Sequence, residues 1–372
     1  MPHVRAKEYQ IPKEGYDLVY VEVIQRHHKR TPYASNTFFK EDADWDCSNA
    51  GPYHHAKAVD FATTPVYWQA QHSALNHFAS QVGPGFGDST CQFPGITSAG
   101  LDDSKQHGVD FGSVYRDKLG FLPCANETEQ YAFRVTNNVI TTQTLGAFAA
   151  GLYPDAKEYV AWVQSETYDS LEPKFSWTEH LEKSAALRER FNRVSGIEPN
   201  DSAGWSSSWD HVNATDVCVS QEDADAIYRL GNWEYAYRWR GAENSTLYSA
   251  LKMGVWFREL QANLHAAAEA TSPVKYRHNF AHDGSVSPVL GVLQSAYPTW
   301  PGMGSEVVFE LWRMGSKPYV RVLFSGQPLE TSTPLGTLDM VPLDKLDNYI
   351  DSIIPHDMVA ACRGDAAALG LA

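Results

Sequence analysis

Residues 17–32 read DLVYVEVIQRHHKRTP, and this stretch decides how the chain is organised. Asp17 to Ile24 is a run of β-branched and aromatic residues, the composition of a parallel strand buried on both faces. It passes directly into Arg26, His27, His28, Lys29, Arg30, Thr31 and Pro32. Open α/β sheets place their ligands at the carboxyl ends of such strands. A guanidinium there offers paired donors to a phosphate or carboxylate, and a histidine held neutral beside it is a nucleophile. A solvated basic turn is the other reading of the same residues.

Outward from this stretch, the pattern predicts an α/β protein. Gln130 to Thr136 is a second strand, Leu101 to Leu119 a helix, and Thr141 to Leu152 a helix stopped at Tyr153-Pro154. A further helix is expected over about Asp60 to Phe78, followed by a loop rich in glycine, proline and serine up to Gly100. From residue 156 to 270 the pattern becomes long and helical, without strand runs, as an inserted helical domain would be. The expected division is therefore a first core segment over 1–155, the insertion over 156–270 and a second core segment over 271–372. In that last segment, strands are expected at Lys275 to Asp283 and Tyr319 to Phe324. Helices are expected from Ser285 or Val286 and over Leu343 to Ile354.

The second chemical cluster is His282-Asp283-Gly284, at another strand-to-helix step. Asp283 could cap the helix, or it could donate a proton to a leaving oxygen while His282 binds an anion.

The chain has 372 residues and a formal charge of -15, with a pI near 5.3. That balance argues against nucleic acid or an anionic membrane as partner and leaves a small-molecule substrate. No apolar run is long enough to span a bilayer, and zinc-type cysteine spacing, P-loop and dinucleotide fingerprints are absent from the sequence, so no metal or cofactor is expected. Five widely spaced cysteines, Cys47, Cys91, Cys124, Cys218 and Cys362, predict long-range disulfides with one thiol left over. Asn126, Asn213 and Asn244 lie in glycosylation sequons. Together they predict a secretory-pathway or extracellular glycoprotein whose signal, not visible at the start MPHVRAKEYQIP, has been removed; a cytoplasmic protein with idle sequons is the alternative. Oligomeric state is not legible.

These motifs, in this order, resemble the histidine acid phosphatase branch of the histidine phosphatase superfamily. RHHKRTP, from Arg26 to Pro32, is similar to the family's RHGxRxP, and His282-Asp283 to its HD motif. ITSAGLDDSKQHG from Ile96, FRVTNNVITTQTLGAFAAGLYP from Phe133, SEVVFELW from Ser305 and VRVLFSGQPL from Val320 resemble its intervening and downstream segments. The resemblance implies a sheet flanked by helices with a mainly helical insertion. It also implies a metal-independent phosphomonoesterase. His27 would be phosphorylated, Arg26, Arg30 and His282 would bind the phosphoryl oxygens, and Asp283 would protonate the leaving alcohol.

Two positions depart from the family pattern. His28 replaces the glycine after the nucleophile, adding bulk and a titratable ring. Ile140-Thr141 stands where the family has arginine-threonine, which removes a phosphate donor of a kind commonly worth about 10²–10³ in rate. Arg134 and Lys29 are the candidates to replace it. The departures keep open a second reading, acid–base chemistry by His27 and Asp283 on an uncharged or carboxylate-bearing molecule. A non-catalytic binding protein on the same scaffold is the third. Trp205, Trp209, Trp233, Trp239 and Trp256 either wall the cleft or pack the insertion.

Overall fold

The computed structural model describes residues 3–31, 46–48, 91, 94–156, 159–164, 182–187, 189–190 and 220–363. The expected helix over 60–78, most of the loop to 100, and Pro32, Trp205, Trp209, Asn213 and Cys218 lie outside them. By their internal contacts the residues fall into two units, one of 1–27, 104–173 and 233–372, the other of 28–103 and 174–232.

The first unit is built on a sheet whose central strand is β1, Asp17–Arg26. The other strands are β2 (Tyr131–Thr136), β3 (Ala161–Gln164), β4 (Tyr276–Ala281), β5 (Glu306–Met314), β6 (Lys317–Phe324), β7 (Gln327–Pro328) and β8 (Val341–Pro342). Their order is β3-β2-β4-β1-β5-β6-β7, with β8 paired to β6. The side from β3 to β1 is parallel, whereas β5 and β6 join antiparallel. β3 is a difference from the purely helical pattern expected after residue 156. Its four residues form an edge strand with exposed Trp162 and Val163, too short to show the alternation of a half-buried strand.

The helices are α1 (Ser98–Gly112), α2 (Val139–Leu152), α3 (Gln221–Ala236), α4 (Ser245–Ala268), α5 (Asp283–Val292), α6 (Leu343–Ile353) and α7 (Met358–Cys362). Side chains alternate along β1. Tyr20 and Ile24 join a core with Phe257, Leu260 and Leu264 of α4 and Val286 and Leu290 of α5. Val21 and Val23 face the opposite core, with Phe111 of α1, Phe133 of β2 and Phe148 of α2. Each large apolar side chain buried this way contributes roughly 1.5–3 kcal/mol. On that second side α1 and α2 touch backbone to backbone. A Cβ at Gly108 would lie 2.0 Å from the carbonyl oxygen of Phe148, and one at Gly151 equally close to that of Lys105.

The same face also buries charge. Glu306 accepts from Val4 N–H at 2.8 Å and meets His107 Nε2 at 3.0 Å, while Glu310 accepts from the hydroxyls of Tyr9 and Tyr115. In the second unit Cys47 and Cys91 form a disulfide. Cys124 and Cys362 are exposed free thiols, which corrects the expectation of a single leftover cysteine.

Candidate active site

β1 and β4 are adjacent and parallel, with Arg26 level with Ala281, so the residues that follow each strand emerge side by side. His27 N–H donates to Ala281 O at 3.0 Å, and Gly304 N–H donates to His27 O at the same distance. The imidazoles of His27 and His282 consequently lie 5.3 Å apart, edge to face. His27 and Arg26 are each only 2% exposed.

Asp283 occupies the first turn of α5, after the cap residue His282, and its Oδ1 accepts the Gly284 N–H at 2.8 Å. The same carboxylate also meets Arg26 Nη2 at 3.2 Å. Its Oδ2 further accepts from Trp300 Nε1 at 2.8 Å and from the Tyr235 hydroxyl at 3.0 Å. Burial alone would raise the Asp283 pKa; Arg26 and the three hydrogen bonds more than offset it, holding the group at about 2. Arg26 is itself placed by a bond from Nη1 to Pro301 O at 2.6 Å and lies over the Trp300 ring.

His282 is oriented by a chain of hydroxyls. Its Nε2 is 3.0 Å from Thr136 Oγ1, which is 3.1 Å from Thr141 Oγ1, and Thr141 Oγ1 lies 2.8 Å from Asn138 O. If Thr141 donates to that nearby carbonyl, Thr136 donates to Thr141 and must accept from His282. This order satisfies every member and puts the proton on Nε2. Ile140, in the same first turn of α2, has no solvent exposure.

The first unit thus brings together Arg26, His27, His282 and Asp283. His28, Lys29 and Arg30 belong to the second unit. There Lys29 pairs with Asp103 at 2.8 Å, and Arg30 donates to Thr31 O at 2.9 Å. His28 is buried and is not among the residues with positive φ, so a side chain here requires no left-handed backbone. Arg134 does not fill the place of the family's arginine: its guanidinium makes a two-pronged ion pair with Glu259 of α4. Thr136, Tyr235 and Trp300 were not singled out in the sequence. Tyr235 sits within an ordinary helical pattern and Trp300 in a loop without a motif. The tryptophans that did stand out pack elsewhere, Trp239 against Tyr248 and Trp256 against Phe309. Trp233 is exposed and stacks on Tyr237.

Residues 230–325 match the model of the histidine phosphatase superfamily, branch 2. Counting factor 60 of Dictyostelium discoideum is 25% identical, in an alignment covering 94% of this chain and 89% of that protein. Among solved structures, Hafnia alvei phytase in complex with tartrate superposes with a TM-score of 0.57 at 14% identity, covering 93% of this chain and 99% of its own. The Bifidobacterium longum multiple inositol polyphosphate phosphatase, complexed with inositol hexasulfate, gives 0.54 at 11% identity, covering 96% and 98%. The chain resembles the histidine acid phosphatases, sharing the fold of these two enzymes and matching the superfamily's second branch across residues 230–325.

Proposed function

We propose that the protein is a hydrolase of small phosphomonoesters that works through a phosphohistidine on His27. The observation that carries this reading is the convergence of Arg26, His27, His282 and Asp283 at the ends of two adjacent parallel strands. In this account Arg26 and His282 hold the phosphoryl oxygens, joined by Arg30 as the family resemblance implies. Fixed positive donors stabilise the charge gathered on those oxygens in the transition state. His27 attacks phosphorus, and the electrons of the breaking P–O bond go to the leaving oxygen, which takes a proton from Asp283. Water then displaces His27 from phosphorus, and Asp283 recovers a proton from that water.

In the resting site Asp283 is an anion paired with Arg26. A phosphoryl group that draws on Arg26 weakens this pairing, which raises the basicity of the carboxylate. The acid is thus loaded when the substrate is seated, with the proton supplied by the substrate monoanion or by solvent. Exposed sequon asparagines at Asn126 and Asn244, with the Cys47–Cys91 disulfide, support a secretory or extracellular setting. No helix among the described residues is long and apolar enough to cross a membrane.

A second reading is favoured by Ile140 and by the capture of Arg134 by Glu259. With fewer donors for an oxyanion, His27 and Asp283 would serve as base and acid on a substrate without phosphate. One experiment separates the two: phosphate release from p-nitrophenyl phosphate between pH 3 and 8, comparing the protein with His27→Ala. The proposal expects a rate with an acidic optimum that the variant lacks. Equal rates in both would overturn it and favour the second reading.

A further inference from the structure

We propose that Tyr235 and Trp300 are positioning residues for the proton donor, reserving Oδ1 of Asp283 as the oxygen that carries the transferred proton. This inference rests on the phosphomonoesterase reading.

The argument begins with the donors. Trp300 Nε1 is a donor only, and it points at Oδ2 of Asp283 at 2.8 Å. The Tyr235 hydroxyl reaches the same oxygen at 3.0 Å, and Arg26 Nη2 lies 3.2 Å from it. Three donors converge on Oδ2, while among the described residues Oδ1 accepts only the Gly284 N–H at 2.8 Å. A carboxylate oxygen has two lone pairs, so Oδ2 has no room for a proton and Oδ1 has one lone pair remaining.

The two aromatic residues come from separate elements, Tyr235 from α3 and Trp300 from the loop between α5 and β5. They stack on one another with centroids 5.2 Å apart and planes 20° from parallel. That loop also grips Arg26, through Pro301 O and the Trp300 ring. One rigid aromatic pair therefore sets the position of the acid and of its counter-ion together. The charged and titratable groups around Asp283 are Arg26 on β1, Tyr235 on α3 and the neighbouring His282, which in turn lies against His27; Arg238 acts on Tyr235 in the same region.

When the substrate's phosphoryl group engages Arg26, Tyr235 and Trp300 still hold Oδ2. The proton on Oδ1 passes to the leaving oxygen as the P–O bond breaks and the bond to His27 Nε2 or Nδ1 forms. Asp283 returns to the carboxylate, held by the same two donors. In the second half-reaction Oδ1 takes a proton from the attacking water as the P–N bond breaks, so atoms and charge balance over the cycle.

Tyr235→Phe removes one oxygen and Trp300→Phe removes the indole N–H while keeping a ring. Each variant is compared with the protein and with Asp283→Asn on two substrates. In p-nitrophenyl phosphate the leaving group needs little protonation, whereas in glycerol 3-phosphate the alcohol requires it. Both variants are expected to lose ~10-fold or more in kcat on glycerol 3-phosphate and ~3-fold or less on p-nitrophenyl phosphate, within the range of general acid catalysis. Their alkaline limb is also expected to move to higher pH, because fewer donors hold the carboxylate as an anion. Equal losses on both substrates with an unmoved pH profile would assign the two residues a structural role and overturn the inference. If Asp283→Asn shows the leaving-group signature and neither aromatic variant does, this inference alone fails. If the protein releases phosphate from neither substrate, the phosphomonoesterase reading fails and takes the inference with it.

Discussion

At the scale of single residues, the hydroxyl chain behind His282 makes a prediction independent of the acid. With Nε2–H given to Thr136, the other ring nitrogen, Nδ1, is an acceptor in the neutral imidazole and a donor to an oxyanion only in the imidazolium. Thr136→Val removes the acceptor that orients the ring. The expected result is a KM for p-nitrophenyl phosphate about 10-fold higher at pH 5, the value of roughly one good hydrogen bond, with kcat changed less. Steady-state kinetics between pH 5 and 8 check this; a KM equal to that of the parent at every pH would contradict it. This residue was hidden in the sequence because a threonine at the end of a strand is an ordinary strand residue. Only the parallel pairing of β2 with β4 brings it to His282. His27 and Asp283, by contrast, stood out because each lies in a polar cluster directly after a strand, His27 after the largely apolar β1 and Asp283 after β4, in which apolar and polar residues partly alternate. Arg134 was legible as a cation but not as the partner of Glu259, which is 125 residues away.

At the scale of elements, the seam between α1 and β5 couples folding to pH. β5 carries Glu306 and Glu310 on the same face as Val308, where a purely apolar strand face would be the ordinary solution. Burial pushes the Glu306 carboxyl up to about 7, with His3 and the Val4 N–H pulling the other way. Burial likewise holds the His107 imidazole well below its usual range, with His3 adding to the effect, so the imidazole facing Glu306 is neutral where the carboxyl titrates. The sign follows from linkage. Glu306 keeps its proton in the folded state and loses it at about 4.5 when unfolded, so its presence lowers stability progressively as pH rises from about 4.5 to 7. Glu306→Gln imitates the protonated acid. We expect it to match the parent at pH 4 and to exceed it at pH 8 by an amount on the order of 3 kcal/mol, by urea denaturation. A difference that does not change with pH would contradict this. His278, whose imidazole is likewise held well below its usual range by burial, opposes the trend in both proteins and cancels in the comparison. The existence and type of β1, β2, α2, β4, β6 and α6 were readable from apolar periodicity. The start of α5 at Asp283 rather than Ser285 was not, since the helix begins on Asp283, a polar residue read as chemistry.

For the whole molecule, the order of motifs carried more information than any one of them. Local patterns indicate strands, but the path β2-β4-β1-β5 is a long-range property, and only a resemblance in the order of motifs could anticipate it. The departures from the family pattern, Ile140 and His28, were visible as letters. Their structural meaning needed coordinates: Ile140 is fully buried, and His28 sits without left-handed backbone. The account as a whole stands on His27 as the atom donor to phosphorus. The most direct measurement mixes the protein with p-nitrophenyl phosphate, quenches within the first turnovers in alkali, where phosphohistidine survives, and maps the modified peptide by mass. The account predicts one phosphoryl group on His27, absent from His27→Ala and retained by His28→Ala. Phosphate release with no phosphorylated histidine, or with the label on His28, would contradict it.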